Sequence, residues 1–245
     1  MKLSEVAEYV LEPDIDPVLV PRPYLHPVRT LGGTVVTDVL PADHEWHLGA
    51  GLAMPDVSGT NLWGGRSYVH GRGYVWLPDH GRIEHVGWRG DVEELRWLDP
   101  AGRILLSEAR ECGAAAVPGG WRLTLATALT NPGGEPVELR SPAVNGRGEG
   151  AGYGGFFWRL PPLAEPSIVA GALRDEESIN GSAEPVLTVS DGDRFSLEFS
   201  GLAGDDRWFA RIAEYPGIGV AWAFDRPLVI GPGETFRRSY RVRVS

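Results

Sequence analysis

Hydrophobic residues recur with a period of two along much of the chain. Trp121, Leu123, Leu125 and Leu129 fall on one face of residues 121–129. Phe195, Leu197 and Phe199 alternate with Arg194, Ser196, Glu198 and Ser200, and Phe236, Tyr240, Val242 and Val244 repeat the pattern near the C-terminus. Successive side chains of a strand point to opposite sides, so this alternation predicts strands with one face buried. Residues 82–88, 92–98 and 103–111 read as further strands. Turn signals at Asp99–Gly102, Asn131–Gly134, Asp191-Gly192 and Gly231–Gly233 separate the runs. Helix is expected only in the first dozen residues and in a turn near 42–46. Many short strands with scarce helix predict an all-β sandwich or barrel, one domain over residues 1–245. No fixed-period repeat supports a propeller or solenoid. Residues 141–155 and 160–184 are looser and read as long loops over a site rather than linkers.

Composition narrows the function. At 245 residues and 42% hydrophobic, the chain can build its core without staples. Cys112 is the single cysteine, which excludes a disulfide framework and a Cys-rich zinc site. The formal charge is −10 and no run of basic residues offsets it, so nucleic acid is not an expected partner. No stretch of about 18 apolar residues predicts a membrane span. The first residues lack signal-peptide character, so a cytoplasmic protein is expected. Of the 23 basic residues only Lys2 is lysine, which leaves no internal lysine for a Schiff base with pyridoxal phosphate. Gly150–Gly155 fits Gly-x-Gly-x-x-Gly, yet the following Phe156–Arg159 reads as strand, and a dinucleotide site needs a helix there. No Gly-x-Ser-x-Gly elbow is present. The expectation is a reaction without a cofactor.

All six histidines lie within the first 85 residues. Asp43-His-Glu-Trp-His47 is the densest group. On a regular strand the three-residue spacing would send His44 and His47 to opposite faces; on a turn they could converge, and Pro41 and Gly49 favour the turn. His26 and Arg29 sit in a proline-bounded segment, Arg22–Arg29, suited to a rigid edge. Tyr153, Trp158 and Arg159 follow or lie within the glycine-rich loop, where aromatic faces could cover a sugar ring.

Several motifs resemble those of a soluble bacterial family often labelled "methane oxygenase PmoA". They are Arg22–Gly33, Asp43–His47 with Gly49, Asn61-Leu-Trp-Gly-Gly65 and Gly152–Arg159. The name is at odds with a chain that lacks a membrane span. Members of that family often accompany sugar oxidoreductase genes, which implies carbohydrate work. The His-Pro segment, the β-rich pattern and the chain length are also similar to galactose mutarotase-like proteins. That resemblance implies a large antiparallel β-sandwich, with Glu214 as the late-strand carboxylate.

The leading reading is an acid–base enzyme, of isomerase or lyase type, acting on a sugar, glycoside or other polyhydroxylated metabolite, including natural products. His44, His47, His26 and Glu214 are its expected catalytic residues. Arg29, Trp46, Trp63, Tyr153, Trp158 and Arg159 are the expected substrate contacts, with Trp46 packed beneath the histidines. A small molecule is the expected partner, and a homodimer is compatible with the sequence. Two other readings stay open: an enzyme whose histidines bind a metal with Asp43 or a distant Glu, and a non-catalytic carbohydrate-binding module.

Overall fold

A computed structural model describes every residue except Glu149. In chain order the strands are β1 (Ala7–Val10), β2 (Tyr24–Val28), β3 (Ala50–Val57), β4 (Thr60–Leu62), β5 (Ser67–Val69), β6 (Gly73–Val75), β7 (Arg82–Arg89), β8 (Val92–Leu98), β9 (Ile104–Val117) and β10 (Gly120–Thr130). They continue as β11 (Val137–Arg140), β12 (Gly155–Arg159), β13 (Pro166–Ala170), β14 (Val186–Asp191), β15 (Phe195–Ser200), β16 (Arg207–Arg211), β17 (Gly217–Ala221), β18 (Leu228–Ile230) and β19 (Thr235–Val244). Sheet one has nine strands along the path β1-β2-β3-β12-β17-β16, with β4, β11 and β18 joined beside β3. Sheet two runs β13-β14-β15-β19-β10-β9-β8-β7, and β5-β6 is a separate hairpin. All pairings between these strands are antiparallel.

The sheets pack face to face. The Trp158 ring of β12 meets Phe199 of β15 edge-on at 5.6 Å, and Phe156 stacks on Tyr240 of β19 at 5.3 Å. The alternating positions of β10, β15 and β19 supply the facing side: Trp121, Leu123, Leu125, Leu129, Leu197, Tyr240, Val242 and Val244 are all buried. The all-β sandwich is therefore built from the alternation seen in the chain. The N-terminus differs from expectation. A single helical turn at Leu3–Glu5 gives way to β1, which pairs with β2, because Ala7 and Val6 bury against the core instead of forming a helical stripe. The looser stretch 160–184 contains β13 and one short helix, α1 (Glu176–Ile179).

Within sheet two sits a buried polar network. Glu108 accepts from Arg110 at 2.7 and 2.8 Å, from Trp97 at 2.7 Å and from Thr127 at 2.8 Å. Arg110 also donates to Tyr9, which bonds Glu93, and His85 lies 2.9 Å from Glu93. Burial pushes the nearby Cys112 thiol up to about 12, so it is an inert thiol. No helix among the described residues is long and apolar enough to cross a membrane.

Candidate active site

Strand β12 lies in the middle of sheet one and is buried at every position. Its alternation therefore feeds two separate environments. Phe156 and Trp158 point into the sandwich core, whereas Phe157 belongs to a second apolar cluster with Ala53, Trp63 and Phe209, flanked by Trp46, Tyr153 and Tyr215. Register fixes that outer face: Tyr24, Gly51, Phe157, Gly219 and Phe209 stand side by side across β2, β3, β12, β17 and β16. Two residues along, Arg159, Gly217 and Arg211 form the next row.

Two consecutive turns carry the histidines over this face. The His44 amide donates to the Pro41 carbonyl at 2.9 Å, and the His47 amide to the His44 carbonyl at 2.9 Å. The three-residue spacing then brings the rings together instead of apart. His44 and His47 stack at 4.7 Å with planes 18° apart, and Tyr215 lies 4.3 and 5.1 Å from them. Asp43 sits 3.0 Å from His44 Nδ1. Arg159, almost wholly buried, donates through Nη2 to both Asp43 oxygens at 3.1 and 3.2 Å, and its Nη1 lies 3.3 Å from His47 Nδ1. Arg159 Nε has no hydrogen-bond partner although it is buried.

These contacts assign the protons. A guanidinium can only donate, so His47 Nδ1 accepts and Nε2 carries the hydrogen. Burial, then the charges of His44, Arg159 and Arg22, hold the His47 pKa well below the usual imidazole value, so the ring is neutral. Burial would raise the Asp43 pKa, but the hydrogen bond with His44 and the Arg159 charge leave it below its ordinary value. An ionised Asp43 takes Nδ1–H of His44 and leaves His44 Nε2 unprotonated when the ring is neutral.

The wall beneath is assembled from the Asn61–Gly65 segment. Asn61 Oδ1 accepts from the Trp63 and Gly64 amides at 2.9 and 2.8 Å, which curls the loop. Gly65 has φ +69°, and a Cβ there would lie 2.6 Å from the Trp46 indole. The glycine pair is thus the seat of Trp46. Arg22, fully buried, donates to the Trp46 carbonyl at 2.9 Å and fixes the turn from below.

Together these parts enclose a cavity of about 440 Å³, within the range of small-molecule sites. His44, His47, Trp46, Trp63, Tyr153, Phe209 and Tyr215 line it, with Arg66, Tyr74, Trp76, Arg147, Arg211 and Glu214 toward its mouth. The Tyr74 and Tyr153 hydroxyls are 3.0 Å apart. Burial raises the pKa of Tyr74, Tyr153 and Tyr215, so these phenols keep their protons. An open cleft of about 1200 Å³ adjoins and shares Arg211 and Glu214 with the cavity.

Of the residues singled out in the sequence, His44, His47, Trp46, Trp63, Tyr153 and Glu214 line the cavity, and Arg159 lies behind the imidazoles. Three do not reach it. His26 bonds Thr37 at 3.0 Å on β2, two strands and so roughly 10 Å from β12. Arg29 lies at the far end of that segment, where its backbone carbonyl accepts from Trp121. Trp158 has the wrong parity: it faces the core and donates to the Val36 carbonyl at 2.8 Å. Sequence reasoning missed Phe157, Phe209, Arg211 and Tyr215. The first three share the alternation that buries Phe156 and Trp208 on the opposite face, a signal readable once β12 and β16 are known to be covered on both sides. Arg66, Tyr74, Trp76 and Arg147 come from loops and a short hairpin with no periodic signal.

Among the described residues no group of three or more His, Cys, Asp or Glu side chains is placed to hold a metal ion. The stacked imidazoles run nearly parallel, and each Nδ1 already has a partner, so their lone pairs do not converge on one point.

Fold and site thus define an all-β sandwich with an imidazole pair in an aromatic cavity on the outer face of one sheet. The chain belongs to a family of unknown function, DUF6807, whose model matches residues 3–245. No curated protein matches it. Among solved structures it is similar to a putative aldose 1-epimerase from Escherichia coli K12, at 13% identity over 74% of this chain and 75% of that one, with a TM-score of 0.42. It is also similar to an α-galactosidase from Lactobacillus brevis, at 9% identity over 85% and 33% of the two chains and a TM-score of 0.45. A polysaccharide lyase, BACCELL_00875, gives 15% identity over 98% and 32%, with a TM-score of 0.39.

Proposed function

We propose that the chain is an acid–base enzyme acting on a sugar or similarly polyhydroxylated metabolite. The observation that carries this reading is the Asp43–His44 pair stacked on a neutral His47 inside an aromatic cavity. Asp43 orients His44 so that Nε2 can take a proton from the substrate and return it elsewhere. His47, neutral and protonated on Nε2, donates a hydrogen bond to the oxygen on which charge develops, a carbonyl or ring oxygen. Arg159 holds His47 directly at Nδ1 and His44 through Asp43, and keeps His47 in that tautomer. Trp46, Trp63 and Tyr153 offer apolar faces to the carbon side of a sugar ring. Isomerisation and elimination both begin with such a proton transfer.

The test is proton exchange. A panel of reducing sugars, keto-sugars and glycosides is incubated with the protein in D2O and followed by NMR. The expected result is deuterium incorporation, anomeric equilibration or elimination on one class. His44→Ala should slow it by about a hundredfold or more, with the fold intact. Binding without any turnover, unaffected by His44→Ala, would instead make the protein a carbohydrate-binding module.

A further inference from the structure

The protein carries a net charge of −10, yet the cavity is basic. Three arginines, Arg66, Arg147 and Arg211, line it against one carboxylate, Glu214. The adjoining cleft has the opposite balance, with Asp175, Glu176, Glu177, Glu214 and Asp225 against Arg211.

The three arginines are held in different ways. Arg211 is already engaged by the protein: it bonds the Gly150 and Ala210 carbonyls at 2.6 and 2.8 Å and lies 3.6 Å from Glu176, which offsets its charge. Arg66 and Arg147 have not. The Arg66 guanidinium lies over the Trp76 ring at 5.8 Å and Arg147 over Tyr74 at 5.0 Å. Among the described residues neither guanidinium has a hydrogen-bond or carboxylate partner. A guanidinium held over the π-face of a ring spends no N–H group on a carbonyl or carboxylate acceptor, so its donor fork stays available. Such a fork matches the two oxygens of a carboxylate or phosphate.

We propose that the substrate carries an anionic group, a carboxylate or phosphate ester on a sugar-sized molecule, which Arg66 and Arg147 bind at the cavity mouth. The inference rests on the acid–base reading of the same cavity and names its substrate class. The acidic cleft supports it by repelling an anion, so the charged end of the ligand is driven toward the arginines and the remainder toward the cleft.

Calorimetry on the intact protein tests this with D-glucuronate, D-galacturonate and glucose 6-phosphate against neutral D-glucose and D-galactose. The anionic member is expected to bind at least about tenfold tighter than its neutral parent, by a ratio that shrinks as salt rises toward about 0.15 M. The uronate and phosphate arms decide which anion is meant. In the Arg66→Ala/Arg147→Ala double variant the ratio should fall toward one, and the Arg→Lys versions should restore part of it. Both arginines are exposed, so an unchanged melting temperature controls for folding. A neutral sugar that binds as tightly as its acid, or a preference that survives the double variant, overturns the proposal and leaves the acid–base reading standing. No binding by any member counts against both.

Discussion

Replacing Arg159 with methionine should remove the chemistry while leaving stability almost unchanged. Methionine fills much of the same channel without the charge. Three hydrogen bonds are lost, together with the placement of the guanidinium over the Tyr215 ring at 5.4 Å, which a methionine sulfur against the same ring offsets. The two charged hydrogen bonds to Asp43 are worth about 1 kcal/mol together once discounted, because the Asp43 side chain is 45% exposed. The 3.3 Å contact with His47 adds no more than about 1 kcal/mol. Against these stands the relief of a buried N–H, Nε, that has no acceptor, which costs about 1–3 kcal/mol in the native protein. The terms cancel to within roughly 1 kcal/mol, or a few degrees in Tm for a chain of this size. Function should not survive as well. Without the donor at Nδ1, His47 is free to exchange tautomers, and Asp43 loses the charge that faces its far side. Differential scanning calorimetry supplies the first readout. The second is long-range proton–nitrogen NMR of His47, which should show the Nε2–H tautomer in the native protein and a mixture in the variant. A fall in Tm of more than about 10 °C would identify Arg159 as a structural strut. An unchanged tautomer would refute its role in setting His47.

Other substitutions test separate parts. The folded pKa of His47 is depressed, so below about pH 6.5 the unfolded chain takes up a proton that the folded chain refuses, and stability falls as pH falls toward the folded pKa. His47→Gln should flatten part of that acid-side loss in urea titrations between about pH 7 and 5, and parallel curves would refute the assignment. Gly65→Ala forces a left-handed φ on alanine and a Cβ into the Trp46 ring; sugar-dependent quenching of tryptophan fluorescence should weaken, with a stability cost of about 1–3 kcal/mol. Glu108→Ala strands Arg110 in the interior and should cost about 3–5 kcal/mol in a chemical melt, since both side chains are buried. His26→Gln should leave turnover within about twofold of the native value, because the residue lies outside the cavity; a hundredfold loss would place it back in the mechanism.

The alternation in β10, β15 and β19 made the sandwich legible, because those strands are buried on one side and the period of two survives in the sequence. In β12 the same period is hidden. Phe156, Phe157, Trp158 and Arg159 are all buried, so a run of large residues gave no sign of which faced the core and which the cavity. Trp158 is expected at the ligand because it follows the glycine-rich loop, and burial on both sides of β12 hides that it faces the core while Phe157 faces the cavity. The Asp43–His47 group was readable because its spacing makes sense only on a turn flanked by Pro41 and Gly49. The expectation for His26 rests on its proline-bounded segment and on the concentration of histidines in the first 85 residues, and lateral distance across a sheet has no counterpart in sequence distance. In the sequence Asp43 enters only as one carboxylate of the alternative metal reading; its part as the partner of His44 depends on Arg159, more than a hundred residues away.

Arg159 and Arg211 stand on the outer face of sheet one in the same row as Gly217. A slip of β12 or β16 by one residue would turn a guanidinium into the hydrocarbon between the sheets and an indole out toward water. The cost of an unpaired interior charge makes that misalignment self-rejecting during assembly. The arginines of this row thereby act as a proofreading device for strand pairing. Neutral replacements at both positions should therefore enlarge the misfolded fraction on refolding beyond what their loss of native-state contacts accounts for.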